Sequence, residues 1–142
     1  MLNFFKSLIN KIYKAYRLRQ YNSYTIAEYF REQDAQIGEG CSIIANSLGT
    51  EPYLIKIGNN VTIAQGVVFM THDGGVWIAK DVDFNIQVFG PIIIEDNCVI
   101  GQNAILFPNI RIGRNSIVGA GSVVISDVPP DTIVMGIPAR PF

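Results

Sequence analysis

Histidine and tryptophan each occur once in this 142-residue chain, cysteine twice and leucine six times. A single histidine excludes any metal site built from three or four histidines of one chain. The two cysteines, Cys41 and Cys98, are too few and too far apart for a disulfide framework or a zinc spacing, so a reducing cytoplasm is the expected setting. Scarce leucine set against 22 isoleucines and 12 valines argues against a helical bundle, because β-branched side chains favour pleated backbone. No apolar run reaches the roughly 18 to 20 residues that cross a bilayer. Yet 49% hydrophobic residues and a mean hydropathy of +0.25 are too apolar for disorder. One globular domain, or an oligomer of it, is expected.

The net charge of −1 conceals two opposed parts. Residues 1–20 hold Lys6, Lys11, Lys14, Arg17 and Arg19 without an acid, a charge of +5, and the other 122 residues carry −6. Leu2, Phe5, Ile9, Ile12 and Tyr16 recur there at three- and four-residue intervals, which predicts an amphipathic helix within an N-terminal helical segment, residues 1–30. Two readings of it stand: a helix packed on the protein or a neighbouring subunit, or a peripheral membrane contact through residues 1–20 at anionic lipid. Charged and amide residues interrupt its apolar run, and no cleavage site follows, so it does not read as a signal peptide. The acidic remainder has no basic stripe, and no nucleic-acid partner is expected.

From residue 94 onward an aliphatic residue returns at every sixth position: Ile94, Ile100, Leu106, Ile112, Val118 and Val124. The same phase occurs upstream at Ile37 and Ile43, then at Ile57, Ile63 and Phe69. Neither a helix nor a simple alternating strand has this period. A short strand plus a tight turn does, and three such units carry the chain once around a triangular prism in 18 residues. The position four beyond each aliphatic is mostly small and should lie inside a corner; Cys41 and Cys98 fall there and read as buried fillers. Two gaps break the phase. Ile43 to Ile57 is two residues too long, near Gly49-Thr50-Glu51-Pro52. Phe69 to Ile94 spans 25 positions where 18 would keep phase, predicting a loop of about seven extra residues within 71–90. Interruptions of a rigid repeat are where function concentrates, and His72 stands at the start of the second.

These residues resemble the hexapeptide-repeat acyltransferases, in particular the branch of small sugar and xenobiotic O-acetyltransferases. The resemblance covers about residues 37–140. It rests on the repeat, on Pro52-Tyr53-Leu54-Ile55-Lys56-Ile57-Gly58, on Thr71-His72-Asp73-Gly74-Gly75, and on the run from Ile117-Val118-Gly119-Ala120-Gly121-Ser122 through Met135-Gly136-Ile137-Pro138-Ala139-Arg140. It implies a mainly β fold, a left-handed parallel β-helix over residues 31–142, forming a homotrimer with active sites between subunits. It also implies acetyl-CoA as co-substrate and no metal.

Acyl transfer from a thioester to a hydroxyl needs a base working near neutral pH and donors for a tetrahedral oxyanion. Imidazole, with an ordinary pKa near 6.5, suits the first role, and the resemblance makes His72 that base. Its orienting partner is Glu51, with Asp73 or a backbone carbonyl as alternatives. By the same resemblance Asn46 contacts the acceptor, the backbone N–H of Gln102 serves the oxyanion, Ala120 lines the CoA groove and Arg140 meets a nucleotide phosphate. Ile125-Ser126 stand where many relatives have Thr-Lys, so one phosphate-binding lysine is absent. Trp77 either stacks on the acceptor sugar or packs the loop on a neighbouring subunit. The expected function is O-acetylation of a saccharide hydroxyl, as in surface-polysaccharide biosynthesis, in the cytoplasm or peripherally at the inner membrane surface. Acetylation of an amino sugar or xenobiotic is the near alternative, and a non-catalytic hexapeptide-repeat scaffold the distant one. A metal-dependent hydratase on the same prism would need three histidines per interface and is excluded by the count.

Overall fold

The computed structural model describes residues 2–74 and 88–142. Helix α1 (Leu2–Leu18) has no acid in its first turn and Arg17 in its last, where a cation suits the helix dipole. Asn22 then starts a turn, its side-chain oxygen accepting from the backbone N–H groups of Tyr24 (2.9 Å) and Thr25 (3.1 Å). The short helix α2 (Ile26–Arg31) follows and buries Ile26, Ala27, Tyr29 and Phe30.

The rest winds as the expected left-handed parallel β-helix. One face stacks β1 (Gln36–Ile37), β3 (Ile55–Ile57), β8 (Ile92–Ile94) and β11 (Ile110–Ile112). The second stacks β2 (Ser42–Ile43), β4 (Thr62–Ile63), β9 (Val99–Ile100), β12 (Ile117–Val118) and β14 (Ile133–Gly136). The third stacks β5 (Val68–Phe69), β10 (Ile105–Leu106) and β13 (Val123–Val124). Pairing is in register, so that Ile57, Ile94 and Ile112 form one inward column, Ile63, Ile100 and Val118 a second, and Phe69, Leu106 and Val124 a third. All are buried. Each such aliphatic side chain contributes about 1.5 to 3 kcal/mol by leaving water, which is why the period repeats so strictly.

Corners are held by small side chains and by residues in the left-handed backbone region. Cys41 and Cys98 are buried in the small-residue slot as expected, as is Ser116; burial pushes both thiols' pKa up, the reverse of what a nucleophile requires. Along one edge Asn60, Asn97, Asn115 and Asp131 all have φ between 55° and 59°. Their side chains form a ladder: Asn60 donates to Asn97 (3.3 Å), Asn97 to Asn115 (3.1 Å) and Asn115 to Asp131 (2.8 Å). Asparagine and aspartate tolerate that backbone better than other side-chain-bearing residues, and here they also stitch successive coils.

Two expectations about phase need correction. Ile57 pairs directly with Ile94, and Phe69 with Leu106. Phe69 to Ile94 is therefore one face, six residues in a regular coil, and the 25 positions contain 19 extra rather than seven. Second, Val128 leaves the small-residue slot and bridges Ile112, while Val134 pairs onward from Val118, so the last coil takes 16 residues. The prism ends in an antiparallel hairpin of β14 with β15 (Ala139–Pro141).

Its first coil is finished differently. Helix α2 packs on β1. Arg31 donates from Nε to the Ile37 carbonyl (2.9 Å) and from Nη2 to the Gly38 carbonyl (2.6 Å), as an earlier coil's N–H groups would. Ile43 N–H meets the Ser23 carbonyl at 2.7 Å.

Candidate active site

Both breaks in the period come together at one place. The first, between β2 and β3, turns at Gly49 (φ 86°) and enters a single turn of 3-10 helix, Pro52–Leu54, whose N-cap is Glu51. Gly49 lies so close to the third face that a Cβ there would come within 2.8 Å of the Phe69 carbonyl oxygen. Glycine alone lets this segment reach the end of β5. The second break opens as β6 (His72–Asp73), which pairs antiparallel with β7 (Val88–Phe89), while Gly90 N–H bonds the Thr71 carbonyl at 2.8 Å. A short antiparallel pair thus interrupts the parallel prism at this break, with His72 on its first strand.

Glu51 Oε2 lies 3.0 Å from His72 Nδ1. The same oxygen accepts from Thr50 Oγ1 (2.8 Å) and from the buried Thr71 hydroxyl. Thr50 Oγ1 stands 3.4 Å from Nδ1. The Glu51 side chain is only 15% exposed. Burial by itself raises its pKa, but the hydrogen bonds from Thr71, His72 and Thr50, with the charge of His72, outweigh it and hold the carboxyl below its ordinary 4.5. An ionised Glu51 can only accept, which favours the tautomer with hydrogen on Nδ1 and a lone pair on Nε2. The imidazole is half exposed and rests near the Phe89 ring, centroids 6.0 Å apart at 55°. A half-buried, ionised orienting group behind an exposed imidazole is the arrangement that proton transfer to and from a substrate requires.

Gln102 and Ala120 stand together on successive coils of one corner. The Gln102 carbonyl accepts from Gly121 N–H at 2.8 Å, and a Cβ on Gly101 would meet the Ala120 nitrogen at 2.5 Å. Both are exposed, flanked by Gly101, Gly119 and Gly121. Arg140 is exposed on β15, opposite Met135, its Nη1 3.0 Å from the Ala139 carbonyl. Asn46 is exposed in the segment leading to Gly49. Trp77 lies outside the described residues.

Thr50, Thr71 and Gly49 escaped the sequence reading as site residues, although Thr71 adjoins His72 in the motif that drew attention to it. Elsewhere a depression of about 420 Å³ on the first face is lined by Lys56, Glu95, Asp96 and Arg114, among others. Glu95 there is already paired, to Arg111 at 2.7 Å and to the Arg114 N–H at 3.0 Å.

The coil register is that of the hexapeptide-repeat acyltransferases, and the chain belongs to that family. Residues 91–126 match the family model described as the hexapeptide repeat of succinyl-transferase. Among curated relatives, Protein CapG of Staphylococcus aureus is 49% identical over 113 residues, 78% of this chain and 66% of its own length. The galactoside O-acetyltransferase of Escherichia coli K12 is 35% identical over 91 residues, 63% of this chain and 44% of that protein. A hexapeptide-repeat acetyltransferase from Vibrio cholerae O1 biovar eltor, solved in complex with acetyl coenzyme A, superposes with a TM-score of 0.66 at 33% identity, covering 77% of this chain and 59% of that one. The chain therefore spans between under half and two thirds of these relatives.

Proposed function

We propose that the protein transfers the acetyl group of acetyl-CoA to a saccharide hydroxyl, with His72 as general base. The observation that carries this reading is the contact of Glu51 with His72 Nδ1 at 3.0 Å, which leaves Nε2 for the acceptor. Nε2 takes the hydroxyl proton as that oxygen attacks the thioester carbonyl. The tetrahedral oxyanion is met by the backbone N–H of Gln102; it collapses, the C–S bond breaks, and the imidazolium returns the proton to the departing CoA thiolate. Charge and protons balance without a metal or a covalent enzyme intermediate.

In this reading the pantetheine arm runs along the corner of Gln102 and Ala120, and Arg140 meets a phosphate of the nucleotide. Asn46 contacts the acceptor. The working form is a homotrimer with sites between subunits. Val99, Ile117 and Ile133, stacked in register on the outside of the second face and each 40–43% exposed, supply an apolar ladder for a neighbour. Acetyl-CoA supply places the reaction in the cytoplasm, and a saccharide acceptor fits surface-polysaccharide biosynthesis.

The test is acetyl-CoA turnover, read as free thiol release, over a panel of mono- and oligosaccharides that includes amino sugars, with wild type and His72→Ala compared. His72→Ala should lower kcat by about 10² to 10⁴ while melting like wild type. An alkali-labile product identifies an ester; an alkali-stable amide transfers the reading to an amino-sugar nitrogen. Full turnover by His72→Ala would overturn the mechanism.

A further inference from the structure

We infer that α1 is a docking helix for an anionic lipid bilayer, a reading independent of acetyl transfer. Its apolar side chains are not used inside the protein: Phe4, Phe5, Ile9, Ile12, Tyr13 and Tyr16 are each 53–70% exposed. At about 100° per residue they cover roughly half the helix circumference. Lys6 and Lys11 fall about 20° beyond the two margins of that arc, and Lys14 lies on the opposite side. An apolar half, cations at both margins and a tyrosine, Tyr13, at one edge are the pattern of a helix lying in the plane of a membrane surface.

The C-terminal end ties this helix to the prism. Arg17 pairs with Glu32 at 2.7 Å and lies 6.0 Å and 5.9 Å from the Tyr21 and Tyr29 ring centroids, and Leu18 packs on the core. Arg17 is thereby occupied. Among the described residues, the ion pairs include none of Lys6, Lys11, Lys14 and Arg19. Lys6 and Lys11 beside an apolar face match phosphate headgroups above acyl chains.

A second copy of the helix fits less well. Three- and four-residue spacing does suggest a coiled-coil seam, but 17 residues hold fewer than three heptads, and the apolar arc is wider than such a seam. Copies brought side by side would also oppose Lys6, Lys11 and Lys14 of one helix to those of the other, with no acid in either.

Sedimentation of the full chain with phosphatidylcholine vesicles, with and without phosphatidylglycerol, tests this directly. Phosphatidylglycerol should raise the bound fraction and added salt should lower it. Replacing two margin cations, Lys6→Gln with Lys11→Gln, should weaken partitioning about thirtyfold. Ile9→Ser with Ile12→Ser should weaken it about a hundredfold or more. Light scattering on all three proteins should give one mass. Sedimentation indifferent to phosphatidylglycerol overturns the inference, and so does a smaller mass for the isoleucine variant, since another copy would then cover the face.

Discussion

The coils between Ile92 and Val124 and the two breaks around Glu51 and His72 are built from the same chain by opposite rules. In the coils residues have counterparts on neighbouring coils, so each inward aliphatic is one of a column, and Asn97 and Asn115 are rungs of a ladder. At the breaks nothing repeats. Glu51, Thr71 and His72 have no equivalents on other coils, and their partners are one another. A repeat distributes stability over many like positions and leaves its irregularities free to be specialised. Stability and chemistry should accordingly respond to different substitutions.

Ile112→Ala should have the largest effect. It removes a fully buried rung from the first inward column and should cost about 2 to 5 kcal/mol of stability, read as a lowered Tm or denaturant midpoint, with turnover per folded molecule little changed. Equal loss of turnover below the melting range would mean that the columns and the site are not separable. Glu51→Gln comes next. It keeps an acceptor for Thr71 and Thr50 but loses the charge behind His72, and kcat should fall about tenfold to a hundredfold. Stability has a signed pH dependence here. Because the folded pKa of Glu51 lies below 4.5, its ionised form stabilises the protein above that value, and the contribution is lost as pH falls through the lower folded pKa. The difference in Tm between wild type and Glu51→Gln should therefore shrink on acidification; a constant difference would contradict the lowered pKa. Smallest is Asn115→Ala, which breaks two rungs of the ladder and puts alanine at φ 57°, for about 1 to 2 kcal/mol. Asn115→Gly separates the causes, since it removes the same hydrogen bonds without the backbone penalty.

Much of this division was legible before the structure. The six-residue phase gave the inward columns from Ile94 to Val124 correctly, and its two interruptions pointed to Glu51 and His72, which the fold brings within 3.0 Å. What failed did so for a physical reason. All three faces of the prism ask for an aliphatic, so a period of six carries no label saying which face a residue occupies. An excursion of 19 residues consequently reads as one more coil and a short loop. Val128 was misplaced because the corner slot and the inward column both accept valine. Thr71 and Gly49 were missed because their roles depend on segments some 20 residues apart lying side by side, a distance set by stacking and invisible in local pattern.

The finish of the first coil has a consequence for the size of the object. Every coil of such a prism offers the next one a complete template of backbone donors and acceptors, so the architecture has no intrinsic reason to stop: left bare, its end would recruit other chains and grow into a filament. Arg31 occupies the Ile37 and Gly38 carbonyls, Ser23 engages the Ile43 N–H, and α2 lies across the opening. A handful of contacts from one short helix and the turn before it thus closes this end of what is in principle a linear polymer.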